Sequence, residues 1–391
     1  MTPQAAARSP LRHIGFRMLL LGIVGLFAGY TLLLPVVPLW VVAQGGSEFV
    51  AGAVTGVFMA ATVLTQLTVP AQARRWGYRA VSIMGALFLG LPSPLLLLAT
   101  SWPGILAISL VRGIGFGLVT VCGSALIAEL LPSSALGRGS AWYGVAVGCP
   151  QLVGLAAGAL LAKSWGFGPV FAIAGALPMA AVVALARLPM VRPAGNAAGT
   201  RLDTARSNWR PWLVMISGST GFGSLVTFLP IVFGDTPAPA SAALFTATGA
   251  ILLSRWAAGS LGDRLAGAGR LLPLGVVLCV LGMAGLTVAT AMHSVALAVV
   301  VTAVFGLGFG TVQNDALVVM FARSPAGPAS VAWNMAFDGG TGLGAVLVGA
   351  IVAGTGYAAA FGALAAISLV LLPLAVRGRT GSGTKLSEDA G

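Results

Sequence analysis

Long apolar segments separated by short polar turns make up nearly all of this chain. Twelve of these segments are long enough to cross the hydrocarbon core of a bilayer, which takes about 20 residues of helix. The predicted helices are 16–42, 50–71, 78–100, 103–128, 138–162, 167–188, 211–234, 240–262, 271–291, 295–322, 328–353 and 356–376. This pattern predicts an all-α integral membrane protein.

The composition agrees with that prediction. Of 391 residues only 8% are charged and the mean hydropathy is +0.98, whereas a soluble domain has about 25% charged residues. The 55 glycines and 22 prolines suit membrane helices, which pack closely through small residues. Cys122, Cys149 and Cys279 lie in apolar segments without disulfide or metal-ligand spacing, so we expect them to be packing residues.

The positions of the charges predict an orientation. Nearly all basic residues lie at the two ends, in the polar stretch 189–210 and in the turns on that same side. The opposite side has only Lys163, beside Glu48, Asp235 and His293. The positive-inside rule therefore puts both termini and the 189–210 linker in the cytoplasm of a cell whose inner or plasma membrane holds the chain. Because the net charge of +12 is spread between apolar segments, we expect no nucleic-acid partner.

The chain also repeats itself. The segment Val111–Gly117 resembles Val304–Gly310, 193 residues later. The dipeptide Ala141-Trp142 resembles Ala332-Trp333, 191 residues later, and Arg74-Arg75 resembles Asp263-Arg264, 189 residues later. The predicted division is an N-terminal six-helix bundle (1–188), a cytoplasmic linker (189–210), a C-terminal six-helix bundle (211–378) and a flexible cytoplasmic tail (379–391).

The end of the eighth segment contains Gly259-x-x-x-Asp263-Arg264, preceded by Arg255. This spacing, with the repeat, resembles the major facilitator superfamily over about residues 14–378. The resemblance implies two pseudo-symmetric six-helix bundles with a substrate path between them. It also implies a conformational latch, in which the aspartate caps a neighbouring helix and the arginine makes charge-assisted bonds. A solvated loop pair is the alternative for Asp263 and Arg264.

The loop after the second segment departs from the same pattern. Pro70 and Arg74 occupy the glycine and aspartate positions, and only Arg75 and Gly77 match. Arg75 completes the set of latch residues that the resemblance implies.

Arg112 lies about a third of the way into the fourth segment, where an arginine costs at least about 2.5–3.5 kcal/mol on insertion scales. The resemblance makes it the helix-four arginine that is often implicated in proton coupling. A structural arginine that donates to backbone carbonyls is the alternative.

Two aspartates also lie inside predicted helices. Asp338 shares one face of helix eleven with Asn334 and Thr341, and Asp315 lies in helix ten, nearer the cytoplasm. A carboxyl group away from water can bind and release protons near neutral pH, so both are candidates for proton coupling. A permanent ion pair with Arg255 or Arg112 is the alternative.

The fifth segment contains Gly144, Gly148, Pro150 and Gly154, a spacing similar to the antiporter motif of the same superfamily. Glycines four residues apart allow close helix contact, and the proline kinks the helix. Tight packing alone would explain this spacing equally well.

Polar residues inside the apolar segments should face protein or water rather than lipid. The predicted substrate cavity consists of Tyr30, Gln66, Gln151, Ser217, Thr220, Ser224, Asn314 and Asn334. Bonding between helices is the alternative for the serines and threonines.

Together these features predict a proton-coupled exporter of a small organic molecule, working by alternating access as a monomer in the bilayer. A proton-coupled importer is the alternative. We expect no enzymatic activity and no cofactor, with the proton gradient as the energy source. Exporters of cationic drugs that resemble this chain often have an acidic residue in helix one. Residues 16–42 contain none, so anionic, zwitterionic and neutral substrates all remain open.

Overall fold

A computed structural model describes residues 10–132, 135–193, 201–234, 236–262 and 268–377. Over these residues the secondary structure is helical, and twelve helices are long and apolar enough to cross a membrane. They are α1 (Ile14–Ala43), α2 (Glu48–Gln66), α3 (Val69–Gly90), α4 (Trp102–Leu130), α5 (Leu136–Trp165), α6 (Phe167–Leu185), α7 (Arg201–Val232), α8 (Pro237–Gly262), α9 (Leu272–Ala291), α10 (Val295–Arg323), α11 (Ala326–Thr355) and α12 (Tyr357–Arg377). The predicted all-α membrane fold is confirmed.

The outer surface of the helices is apolar. Leu253, Val370 and many other large apolar side chains are exposed, as expected of a surface that faces lipid tails. Exposed tryptophans lie close to helix ends, among them Trp102 at the start of α4 and Trp165 at the end of α5. Tryptophan prefers the boundary between membrane and water, so these positions are typical of the two edges of a bilayer.

One boundary difference from the sequence prediction lies between α2 and α3. The predicted second helix runs to residue 71 and the third starts at 78, but α2 ends at Gln66 and α3 begins at Val69. Pro70 begins the new helix because a residue in the first turn needs no amide donor. Gly77, with φ 81° and ψ 156°, then breaks α3 into two helical segments. The predicted loop is therefore largely a short helix.

The third predicted helix also ends differently. Pro92 and Pro94 follow the end of α3 at Gly90, and the chain continues as a short 3₁₀ helix, Pro94–Leu97. Proline lacks the amide that would continue the α-helical pattern.

The predicted linker, 189–210, contains regular structure at its C-terminal end. Helix α7 begins at Arg201, ten residues before the predicted start. Its first two turns contain charged residues but neither glycine nor proline, so nothing in the backbone interrupts the helix before it reaches the apolar segment.

The two halves have the same helix arrangement. In the N-terminal half α1 packs against α5 and α6, and α4 packs against α2 and α3. In the C-terminal half α7 packs against α11 and α12, and α10 packs against α8 and α9. Adding six to each helix number of the first half gives the pairs of the second, so the predicted pseudo-symmetry of the bundles is confirmed.

Glycines make this packing close, and they do so at equivalent positions of the halves. A Cβ on Gly113 of α4 would overlap the carbonyl oxygen of Phe58 on α2, and one on Gly306 of α10 would overlap that of Ala247 on α8. Beside each glycine a hydroxyl crosses the same contact. Thr62 donates to the Gly113 carbonyl at 3.0 Å, and Ser254 donates to the Gly306 carbonyl at 3.4 Å.

The halves meet through α2 against α11, α5 against α8, and α1 against α7. The first two contacts are related by the same pseudo-symmetry. Along α2 and α11 the contact extends from Glu48, beside Gly349, to Gln66, beside Asp338.

We predict that Gly344→Ala lowers the free energy of unfolding by about 1–3 kcal/mol, the usual cost of forcing an extra carbon into a packed contact. The added Cβ would overlap the Thr220 carbonyl oxygen on α7, and backbone cannot easily yield. Gly354→Ala on the same helix is the control, because no atom lies within 4 Å of its Cβ position. Thermal unfolding in detergent measures both variants. Equal melting temperatures would contradict the prediction, since alanine is otherwise the better helix former.

Candidate functional site

Asp338 lies at the boundary between the two halves. Its side chain, on α11, is 2% exposed, and its Oδ2 accepts a hydrogen bond from Nε2 of Gln66 on α2 at 2.6 Å. The same amide nitrogen donates to Oγ1 of Thr120 on α4 at 3.1 Å, while Oε1 of Gln66 is buried without a partner. Within the described residues no arginine or lysine forms an ion pair with Asp338. The carboxyl group is thus held by an amide of the other half rather than by a cation.

Arg112 lies within the N-terminal half and is 3% exposed. Its Nε donates to Oγ of Ser93 at 3.1 Å, and its guanidinium lies 5.5 Å from the ring centre of Phe58. Ser93 in turn donates to the Leu89 carbonyl. These contacts fix the inner edge and one face of the guanidinium.

Tyr30 of α1 lies between these two charged residues. Its ring stacks on Phe116 with centroids 3.9 Å apart and on Phe58 with centroids 5.6 Å apart. The phenol is within electrostatic range of both Asp338 and Arg112, and its buried hydroxyl has no hydrogen-bond partner.

A pocket of about 20 Å³ lies beside Tyr30 and Arg112. Its other walls come from the C-terminal part of α1, the middle of α2 and Ser109 of α4. Thr55, on the α2 wall, is also 3.3 Å (Oγ1 to Oγ1) from Thr227 of α7, so the pocket adjoins the other half of the molecule.

Asp315 has a different environment from Asp338. Its Oδ2 accepts from the backbone N–H of Leu271 at 2.8 Å, at the start of α9. A carboxylate there offsets the positive end of the helix dipole and pairs one of the free amide groups of the first turn. The partner of this carboxylate is a helix N-terminus of its own half rather than Arg255 or Arg112.

The predicted latch residues are only partly described. Asp263 and Arg264 lie outside the described residues. Gly259 lies beside Asn314, Arg255 is half-buried with its guanidinium 5.6 Å from the Trp333 ring centre, and Arg75 is exposed next to Trp76.

The remaining cavity candidates are spread over several contacts. Ser217 donates to Ser368 of α12 at 2.9 Å, and Thr220 and Ser224 donate to carbonyls of their own helix. Asn334 donates to the Ser330 carbonyl, and Gln151 and Asn314 are half-buried. The structure therefore brings Tyr30 and Gln66 together with Arg112 and Asp338, and it does not bring the α7 hydroxyls to that cluster.

Helix α5 contacts both halves through the predicted glycine and proline positions. Gly148 faces Leu252 of α8, whereas Gly154 faces Thr31 and Leu32 of α1. The Pro150 carbonyl accepts from Thr31 at 3.0 Å. Gly144 is exposed, with no atom within 4 Å of its Cβ position.

Residues 19–332 match the family described as Major Facilitator Superfamily. The chain belongs to this superfamily. The family match and the twelve apolar helices identify a multi-pass membrane protein. Among the described residues, no group of three or more His, Cys, Asp or Glu could hold a metal ion.

Two relatives from Mycobacterium tuberculosis strains, each named a probable multidrug-efflux transporter, are 29% identical to this chain over 225 residues. The match covers 56% of this chain and 46% of each relative, so the chain spans about half the length of the relatives it matches.

Solved structures share the fold at low identity. A bacterial homologue of the human lysosomal transporter Spinster, solved in an inward-facing and occupied conformation, has a TM-score of 0.76 at 16% identity, covering 95% of this chain and 97% of that one. A D-xylose-proton symporter has a TM-score of 0.74 at 18% identity, covering 93% and 97%.

Several residues of the cluster were missed by the sequence analysis. Thr120 and Ser93 position Gln66 and Arg112, and Phe58 and Phe116 enclose Tyr30. The sequence gave a signal only for Tyr30, Gln66, Arg112 and Asp338, because other hydroxyl and aromatic residues in the helices do not stand out from ordinary packing residues.

We predict that Asp315→Ala lowers the free energy of unfolding by about 0.5–2 kcal/mol, as expected for loss of a helix cap. Asp315→Asn should lower the free energy of unfolding by less, because the asparagine side-chain oxygen can still accept a hydrogen bond from the Leu271 amide. Thermal unfolding of the purified variants in detergent measures both effects. The opposite order of stability would exclude the capping role.

Proposed function

We propose that this protein is a proton-coupled exporter, an antiporter of a small organic molecule that works by alternating access. The observation on which this proposal rests is the buried Asp338 carboxyl group of α11 and its hydrogen bond to Gln66 of α2. Because these two residues belong to different halves, a change in the charge of Asp338 acts directly on the contact between them.

Burial raises the free energy of the ionised Asp338 carboxylate when α2 and α11 are packed together. An ionised carboxylate has about four acceptor sites, and the described structure gives it one amide donor. A protonated carboxyl group needs less compensation, and its O–H could donate to the unpartnered Oε1 of Gln66 after the amide rotates. Protonation should therefore favour the arrangement in which α2 and α11 are in contact at this end.

Loss of the proton should favour separation of α2 from α11, because water can then solvate the carboxylate. A proton that binds the two conformations with different affinity shifts the equilibrium between them. Among the described residues, Tyr30 of α1 is within electrostatic range of both Asp338 and Arg112 of α4. We assign Asp338 the proton-binding role and Arg112 a role in setting the local potential.

Export is supported by the names of the two mycobacterial relatives and by the glycine and proline pattern of α5, which contacts both halves. Import is the second candidate, because the same fold occurs in a D-xylose-proton symporter. Export and import differ in whether the transported molecule moves against the proton flow or with it.

We predict that Asp338→Asn reduces proton-driven flux to the level of protein-free liposomes, because asparagine cannot exchange a proton. The measurement is flux in proteoliposomes under an imposed pH gradient, with ethidium, hippurate and chloramphenicol as cationic, anionic and neutral probes. Two controls show whether the variant remains folded. One is its melting temperature, and the other is its exchange of probe molecules down a probe concentration gradient.

Asp315→Asn is the matched control, since it removes the other buried carboxylate of the same half but keeps an acceptor for the α9 N-terminus. We expect this variant to retain proton-driven flux. Undiminished flux in Asp338→Asn would remove Asp338 from the mechanism. Accumulation of probe with the proton gradient rather than against it would identify an importer.

We further propose that the termini and the 189–210 linker lie in the cytoplasm, on the basis of the basic residues there. In a variant with Cys122, Cys149 and Cys279 replaced by serine, Ser101→Cys should react with an impermeant maleimide added to intact cells. Arg187→Cys, equally exposed, should react only after the cells are opened. The reverse pattern would invert the orientation.

A further inference from the structure

Arg112 is a buried cation without an anionic partner. No carboxylate among the described residues forms an ion pair with it, and no protein acceptor is recorded there for its two terminal amino groups. Burial of an unpaired charge is costly, and the contacts to Ser93 and Phe58 compensate for only one N–H and one face of the guanidinium. The terminal amino groups remain to be paired.

The pocket next to Arg112 contains a second unpaired group. Tyr30 lines this pocket, and its hydroxyl is buried without a hydrogen-bond partner. Ser109, one turn before Arg112 on α4, adds a further hydroxyl to the lining. These three residues offer hydrogen-bond donors at one end, and none of the residues lining the pocket is acidic.

The rest of the pocket is apolar. Leu34, Val37, Val54 and the ring of Phe58 line it. Its free volume in this arrangement is about 20 Å³, room for about one water molecule. A ligand with a single ring therefore needs the wider opening that separation of Thr55 on α2 from Thr227 on α7 would give.

We propose that this pocket binds a small organic anion, with its carboxylate at Arg112 and Tyr30 and its apolar part against Phe58 and the aliphatic side chains of α1. The assignment narrows the substrate class of the exporter proposed above and rests on that function for its role in transport, but not for binding. A carboxylate matches the planar guanidinium through paired hydrogen bonds, so it offsets the cost of burying Arg112.

Binding here would also reach the contact between the halves. Thr55 lines the pocket and contacts Thr227 of α7, and Tyr30 is in electrostatic range of Asp338. A bound anion therefore lies one side chain away from the proton-binding site and from the α2–α7 contact.

Three probes of nearly equal shape test the proposal: benzoate, benzamide and benzamidinium. Equilibrium dialysis of the full chain in detergent with radiolabelled benzoate, and competition by the other two, measures their affinities. We expect benzoate to bind saturably and at least about tenfold more tightly than either competitor, in line with a charge-assisted pair. Equal affinity for the three probes, preference for benzamidinium, or no saturable binding of benzoate would overturn the proposal.

Variants locate the binding. Arg112→Gln should abolish the preference for benzoate, and Tyr30→Phe, which removes only the hydroxyl, should weaken benzoate binding about fivefold. Arg187→Gln, an exposed arginine outside the pocket, should leave binding unchanged. If Arg112→Gln fails to fold, Tyr30→Phe still tests the proposal. An unchanged affinity of Tyr30→Phe for benzoate would overturn the assignment. Arg112-dependent binding of hexadecanoate without binding of benzoate would point to a lipid and overturn it as well.

This test is separate from that of the proposed function. Loss of benzoate selectivity together with intact proton-driven flux would refute the substrate class alone. Selective benzoate binding in a protein without proton-driven flux would refute proton-coupled export alone.

Discussion

The close approach of helix backbones is the constraint on which the rest of this structure depends. Apolar side chains gain little by leaving lipid for protein, so membrane helices associate through tight contact and hydrogen bonds between them. Glycine permits that contact at Gly113 and Gly306, where a Cβ would overlap a carbonyl oxygen of the next helix. Thr62 and Ser254 then add a hydrogen bond across each contact. Each half is thereby a tightly packed unit.

The contact between the halves is built differently along its length. Near one end Gly349 of α11 lies against the backbone of α2, where small residues can separate without breaking side-chain bonds. At the other end Gln66 and Asp338 are joined by a hydrogen bond to a carboxyl group. At this end the buried charge of the contact thus lies on one ionisable residue, Asp338. A proton there can influence the whole contact, since the halves are too tightly packed to absorb the change internally.

Three buried charged residues have three kinds of partner, and the partners distinguish their roles. Asp315 binds a helix N-terminus within its own half, as a structural carboxylate does. Asp338 binds an amide of the opposite half. Arg112 has a serine and an aromatic ring but no anion among the described residues, and it lines a pocket. Burial alone would have grouped the three, whereas their different contacts support the three roles proposed above: stability, proton binding and ligand binding.

The sequence by itself determined the fold class, the twelve spans and the internal repeat, because lipid requires long apolar helices and the repeat preserves residue spacing. It also placed Arg112, Asp315 and Asp338 inside helices. It misplaced the end of α2, because a helix that stops at a short turn before Pro70 keeps the same apolar pattern. Only the tertiary structure decided that Gln66 faces Asp338 and that Asp315 caps α9. Those partners lie 272 and 44 residues apart in the chain, and hydropathy specifies which residues enter the membrane but not which helices they meet there.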